Sequence, residues 1–112
     1  INNDSSIPFL ISLLDDEEPN IRWDAAIGLA KMQSTASVPT IINLMDREYL
    51  MTFPELDQNE ITSVILTAIE ATSLISVEEF EPNLLELAKY DESLKVRDAA
   101  IKSLKKNYNK VI

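Results

Sequence analysis

One phrase occurs twice in this 112-residue chain, near its two ends, and it limits the possible folds more than any other feature. Ile21-Arg22-x-x-Ala25-x-x-x-Leu29 returns as Val96-Arg97-x-x-Ala100-x-x-x-Leu104. The apolar positions recur at helical spacing, so each copy opens a helix. Each also follows an acidic turn, Asp15-Asp16-Glu17-Glu18-Pro19-Asn20 before the first and Asp91-Glu92-Ser93 before the second. Recurrence over tens of residues is the sign of stacked helical hairpins, none of which buries its apolar faces alone. A binding scaffold is the functional class that such a stack serves best.

Composition removes several other classes. The chain has a single Gly against 5 Pro, too little glycine for tight β-turns or phosphate-cradling loops. With Cys 0 there is no disulfide framework, and with His 0 the commonest general base and metal ligand are missing. No catalytic residue, metal or cofactor is therefore expected. The N-terminal Ile1-Asn2-Asn3-Asp4 has neither the basic nor the apolar segment of a secretion signal. No apolar run approaches the roughly 20 residues of a membrane span, so a cytoplasmic protein is expected. Because the sequence opens on Ile1 and not Met, it reads as a piece of a longer protein. Asn3-Asp4-Ser5 matches a glycosylation acceptor, a pattern of little weight without a secretion signal.

The periodicity predicts an all-α array of three antiparallel hairpins, each with a first (A) and a second (B) helix, over about residues 6–32, 37–75 and 77–108. The first A helix spans about Ser6 to Leu14, capped by Ser5 or Ser6, with Pro8 in its first turn. Its B helix runs from Pro19 to about Met32. The second pair opens at Ser37 with Pro39 in the first turn, and its B helix begins near Asn59, where Asp57 and Glu60 are placed for a capping box. The third opens near Val77 with Pro82, and the last helix covers about Ser93 to Tyr108. Apolar residues follow Pro8, Pro39 and Pro82 at the same three offsets: Ile11, Leu13 and Leu14; Ile42, Leu44 and Met45; Leu85, Leu87 and Ala88. The spacing between these prolines grows from 31 to 43 residues, and the extra length lies in residues 47–58. The middle B helix, with Ile61, Val64, Ile65, Leu66, Ala68, Ile69, Ala71, Leu74 and Ile75, is apolar nearly all round and belongs in the interior.

These hairpins resemble HEAT repeats, of the HEAT-like kind found in phycobilisome lyases, over nearly the whole chain from Ser6 to Tyr108. The resemblance implies an α-α superhelix in which each B helix starts with an apolar-Arg pair after an Asp-bearing turn. It implies that Arg22 and Arg97 join a structural Asp/Arg ladder, with Asp15 or Asp16, and Asp91, as acceptors. Ile61-Thr62-x-x-Ile65-x-x-x-Ile69 keeps the apolar register but has Thr62 where Arg is expected, which interrupts the ladder. Some HEAT-like families are enzymes. Deoxyhypusine hydroxylases hold iron with His-Glu pairs, which a chain without His does not supply. Alkylpurine glycosylases of this fold need a basic surface, and the net charge here is −9, so no nucleic-acid partner is expected.

Charge is unevenly spread. Residues 1–94 carry 18 acidic and 4 basic side chains, whereas residues 95–112 carry Lys95, Arg97, Lys102, Lys105, Lys106 and Lys110 against Asp98. This basic helix offers itself to an acidic partner, forms a solvated face favoured by the helix dipole, or complements a neighbouring acidic repeat. Membrane attachment is not expected, because its apolar residues Val96, Ala100, Leu104 and Tyr108 form the core stripe.

With Ile21, Ala25 and Leu29 inward, Trp23, Ile27 and Ala30 lie on the opposite side of their helix. The same positions hold Ser63, Thr67 and Glu70 in the middle B helix and Asp98, Lys102 and Lys105 in the last. B helices line the concave side of HEAT arrays, so the resemblance puts this row on a protein-binding surface. Trp23, Ile27, Ala30, Thr67, Glu70, Lys102 and Lys105 are the candidate contact residues, with Trp23 and Ile27 as anchors. The alternative is that Trp23 packs against a neighbouring repeat outside this sequence, or on residues 47–58. Matching Asp24-Ala25-Ala26 to Asp98-Ala99-Ala100 shifts the frame by one and sets Trp23 opposite Arg97. Within residues 47–58, Tyr49, Leu50, Met51, Phe53 and Leu56 are too apolar for a solvated loop. Either Tyr49 to Met51 extend the A helix while Phe53 and Leu56 fold back, or the segment is a partner-specific lip.

The expected function is a non-catalytic scaffold for another protein, drawn from a longer array because the first A helix is short and neither end has an evident cap. Self-association through exposed array ends is a further expectation. The alternatives are an accessory to a bilin lyase-type cofactor-attachment system and a purely architectural spacer.

Overall fold

The computed structural model describes residues 6–111. Ser5 and the Asn3-Asp4-Ser5 acceptor pattern lie outside them. Seven α-helices and two 3₁₀ turns account for the regular structure, and there is no strand among the described residues. The helices are α1 (Ser6–Leu13), α2 (Pro19–Lys31), α3 (Val38–Leu44), α4 (Arg47–Leu50), α5 (Gln58–Ile75), α6 (Glu81–Tyr90) and α7 (Leu94–Tyr108). Three hairpins result: α1 with α2, α3 with α5, and α6 with α7, with α4 inserted in the second.

Local chemistry sets the boundaries. Pro19, Pro39 and Pro82 stand in the first turns of α2, α3 and α6, where a missing N–H removes no intrahelical bond. Asp57 accepts from the Glu60 N–H at 2.8 Å while the Glu60 carboxylate accepts from the Asp57 N–H at 3.0 Å, the capping box that starts α5. Ser93 caps α7 through the Val96 N–H. At the other end of α2, Gln33 adopts φ 60°, and the Gln33 and Ser34 N–H groups close on Ala30 O and Leu29 O at 2.9 Å each. This is a Schellman stop built on a residue other than glycine.

Tyr49 to Met51 do not extend the A helix. Asp46 is extended, with φ −106° and ψ 103°, and its carboxylate accepts from the N–H groups of Glu48 and Tyr49. It therefore ends α3 and caps a separate helix, α4, which turns the chain inward. Leu50 of α4 is fully buried, Tyr49, Phe53 and Leu56 pack on the core, and Met51 is exposed. The inserted segment is thus a lid of core side chains.

The B helices α2, α5 and α7 pack against one another in sequence along the stack, whereas contact between successive A helices is slight. The B helices therefore form one continuous layer along the stack. The molecule measures 40 × 35 × 19 Å, the shortest dimension being that of two helical layers. One apolar core runs from Trp23 of α2 through Leu44, Leu50 and Ile65 to Phe80, Leu84 and Leu104. Ala25 and Leu29 are also buried, on the α1 side of α2, where Leu10 packs over Gly28. α1 has no buried residue, and Phe9 and Ile11 are 64% and 41% exposed. Ile21, expected inward with Ala25 and Leu29, is 40% exposed. Its stripe faces a helix of 8 residues that cannot cover all 13 of α2.

Candidate interaction surfaces and the inter-repeat junction

The row proposed from the sequence divides in two. Thr67 and Glu70 of α5 and Lys102 and Lys105 of α7 are exposed, and Ile27 of α2 is half-buried. Trp23 is only 8% exposed, and Ala30 is fully buried. The indole meets Phe53 edge-on, with ring centroids 5.2 Å apart at 87°, and Phe53 in turn meets Tyr49 at 5.3 Å. Such T-shaped pairs add to the burial term. Trp23 is therefore core, covered by the inserted segment, and neither it nor Ala30 is a free anchor. Trp23, Ala26 and Ala30 form a second buried side of α2 toward the second hairpin, beside Ala25 and Leu29 on the α1 side.

Two of the grooves on the B-helix side line up along the stack. One, of about 240 Å³, lies between α2 and α5, with Ile27, Leu44 and Val64 at its base and Asp24, Ser63 and Thr67 at its rim. The other, of about 340 Å³, lies between α5 and α7, with Leu66, Ile69 and Ala99 below and Glu70, Ser73, Lys102 and Lys106 around it. Between these helices Thr72 and Ser103 are buried, 3.4 Å apart at their hydroxyls, and Thr72 also donates to Ile69 O at 2.6 Å. The second groove thus has an internally satisfied polar contact at its floor, through Ser103.

The predicted ladder has different acceptors. Arg22 donates to the main-chain carbonyls of Asp16, at 2.7 Å, and Glu17, at 3.3 Å. Arg97 donates to the carbonyl of Asp91 at 3.1 Å. Among the described residues neither arginine pairs with an Asp carboxylate, and Asp15 takes no part. Each guanidinium staples its own hairpin turn by satisfying carbonyls left over from the preceding helix or loop.

The carboxylate of Asp91 is taken by Arg47, which the sequence did not single out. Arg47 Nε and Nη2 donate to Asp91 Oδ1 and Oδ2, both at 2.9 Å, a bidentate pair 44 residues apart in sequence. Arg47 Nη2 also donates to Thr62 Oγ1 at 3.2 Å, and Nη1 to Gln58 Oε1 at 3.1 Å. Asp91 Oδ2 further accepts from the Ser93 N–H at 2.9 Å. The Asp91 hydrogen bond raises the Arg47 pKa above its ordinary value; burial opposes this, and the charges of Asp91 and Glu92 add to the rise. At Thr62, where the motif lacks its arginine, a guanidinium from another segment is in place. Arg47, from the inserted helix, lays its guanidinium on the Thr62 hydroxyl and joins the second repeat to the third. The only hint in the sequence was an Arg directly after a helix-capping Asp in the segment that precedes the missing arginine.

Among the described residues the salt bridges are Arg47–Asp91 and Lys110–Glu81, the latter at 3.1 Å. Lys95, Lys102, Lys105 and Lys106 of α7 are all exposed without a carboxylate partner there. No group of His, Cys, Asp or Glu among the described residues is arranged to hold a metal ion, and no helix is long and apolar enough to cross a membrane.

Comparison with known proteins agrees with this geometry. Residues 1–50 match the family model described as HEAT repeats. The matched span reaches from the first hairpin to the end of α4, and includes the acidic turn, Arg22 and Arg47. No curated protein and no solved structure matched the chain. The all-α repeat fold thus rests on two observations, the match over residues 1–50 and the helical stack of the described residues.

Proposed function

We propose that the chain is a non-catalytic protein-binding scaffold of HEAT type whose partner lies along the B-helix side. The observation that carries this is the pair of grooves in line across α2, α5 and α7, each with an apolar base and a polar rim. Interfaces between proteins take this form, with apolar contact at the centre and hydrogen bonds and charges at the edge. Ile27, Thr67, Glu70 and Lys102 are the contact residues of this reading, and Trp23 supports Ile27 from below. The face is laid on regular helices, which hold it rigid and lower the ordering cost of binding.

The test compares capture of proteins from source lysate by the natural chain and by a Thr67→Arg/Lys102→Glu variant. Both positions are exposed, so thermal unfolding followed by circular dichroism is expected to be unchanged. Loss of the captured partner from the variant supports the proposal. Retention of the same partner at the same yield removes the B-helix side from consideration.

A further inference from the structure

The two ends of the stack differ in a way the B-helix face does not explain. α1 is apolar on all sides, a pattern that belongs to buried helices, yet Phe9 and Ile11 stand in solvent. Ile21 extends the same uncovered surface onto α2. Beside it runs the acidic turn Asp15-Asp16-Glu17-Glu18. At the other end, α7 turns outward Leu94, 63% exposed, with Lys95 and Lys105. An acidic apolar end and a basic end with an exposed leucine are complementary.

The junction inside the molecule shows how such ends meet. Asp91 and Asp16 are equivalent, because each offers its carbonyl to an arginine six residues later, Arg97 and Arg22. Asp91 also receives a guanidinium from the preceding repeat, at the place marked by Thr62. Asp16 has no salt-bridge partner among the described residues. The residue equivalent to Thr62 in the third hairpin is Arg97, since Ile61, Ile65 and Ile69 are buried as Val96, Ala100 and Leu104 are. Among the described residues Arg97 uses only Nη1, on the Asp91 carbonyl. Among the described residues, one end of the stack therefore carries Arg97 without a carboxylate partner and the other Asp16 without a cation.

We propose that a second copy of this chain docks head-to-tail, with the α7 end of one copy on the α1–α2 end of the next and Arg97 paired to Asp16. The contact repeats the Arg47–Asp91 junction between molecules, covers Phe9, Ile11 and Ile21, and places Lys95 and Lys105 near the acidic turn. It is heterologous, so it extends to higher oligomers. It is separate from the B-helix grooves.

Sedimentation velocity on the natural chain, from low to high micromolar concentration, tests this. The mean mass is expected to rise with concentration and to fall with added salt, as a contact partly made of charges requires. Asp16→Arg and Arg97→Asp are each expected to weaken association by about tenfold or more. An equal mixture of the two makes both hetero-junctions complementary, the intact ends with each other and the reversed ends with each other, and is expected to restore the association that neither shows alone. Should Arg97→Asp unfold for want of its Asp91 carbonyl contact, Lys105→Glu at an exposed site takes its place in the mixture. A chain that is monomeric throughout overturns the proposal. So does association that survives both charge reversals, and if Phe9→Glu then abolishes it, the contact is a two-fold one between α1 helices.

Discussion

Helices α2 and α7 begin with the same phrase and end in opposite surroundings. Both staple an acidic turn with the arginine at the second position of that phrase, and both bury Ala and Leu at the positions that follow, Ala25 and Leu29 in one and Ala100 and Leu104 in the other. Yet Trp23 and Ala30 of α2 are buried, whereas Asp98 and Lys105, their counterparts in α7, are exposed. The difference is the neighbour. α2 has the second hairpin and the inserted segment against this face, while the corresponding face of α7 has no following hairpin among the described residues. A repeat phrase specifies how a helix meets its own hairpin; the next element decides what the far side must be.

The largest expected effect tests that contrast directly. Trp23→Ala removes a buried indole and its edge contact with Phe53, and is expected to cost about 3–5 kcal/mol in chemical denaturation. Asp98→Ala at the matching position of α7 is expected to change stability by less than about 0.5 kcal/mol. Comparable losses at the two sites break the comparison.

A second contrast lies between arginines. Arg47 joins two repeats through a nearly buried carboxylate, whereas Arg22 touches only carbonyls of its own turn. Arg47→Ala strands the Asp91 charge and is expected to cost about 3 kcal/mol, against about 1–2 kcal/mol for Arg22→Ala. A double-mutant cycle of Arg47→Ala with Asp91→Ala is expected to show a coupling of about 2 kcal/mol. A coupling near zero means the second and third repeats are held by apolar packing alone.

The same contrast explains what the sequence disclosed. Hairpin number, the proline starts, the Asp57/Glu60 box and the central place of α5 follow from residues near one another in the chain, so local spacing reveals them. The partners of Trp23 and Asp91 are 30 and 44 residues away. Helical spacing put Trp23 on the side opposite Ala25 and Leu29, correctly, but could not tell whether that side faced solvent or Phe53. The ladder was legible as a motif and misassigned as a contact, because the carboxylate next to Arg97 in sequence is reached first by Arg47 from another repeat. Thr62 looked like a break for the same reason: the missing guanidinium comes from a segment with no fixed register to it. The grooves depend on side chains from adjacent B helices and carry no linear signature.

A smaller effect separates the lid from the array end. Phe53→Ala opens one side of Trp23, and is expected to cost about 2 kcal/mol and move its fluorescence to the red with easier acrylamide quenching. Lys105→Ala is expected to leave emission and stability unchanged. Trp23 is the single tryptophan, so the reading is unambiguous. A natural chain whose emission is already red and readily quenched contradicts the lid.

The smallest effect concerns how the far end of α7 is tied down. Tyr108 donates its hydroxyl to Val77 O at 2.7 Å, linking the last turn of α7 to the start of the third hairpin. Burial first, then the charges of Glu81 and Glu79, push its pKa up from 10.0 to about 12. The folded state holds this proton more tightly than the unfolded chain, in which tyrosine ionises near its ordinary value. The stabilisation is thus complete below pH 10 and lost as the pH rises toward 12. Denaturation at a series of alkaline pH values is expected to show a steeper fall for the natural chain than for Tyr108→Phe, which has nothing to ionise. Below pH 10 the Phe variant is expected to be weaker by about 1 kcal/mol for the lost hydrogen bond, so the two curves converge as pH rises. Parallel curves mean that the hydroxyl ionises freely in the folded chain, and the tie to Val77 then contributes nothing to holding α7 in place.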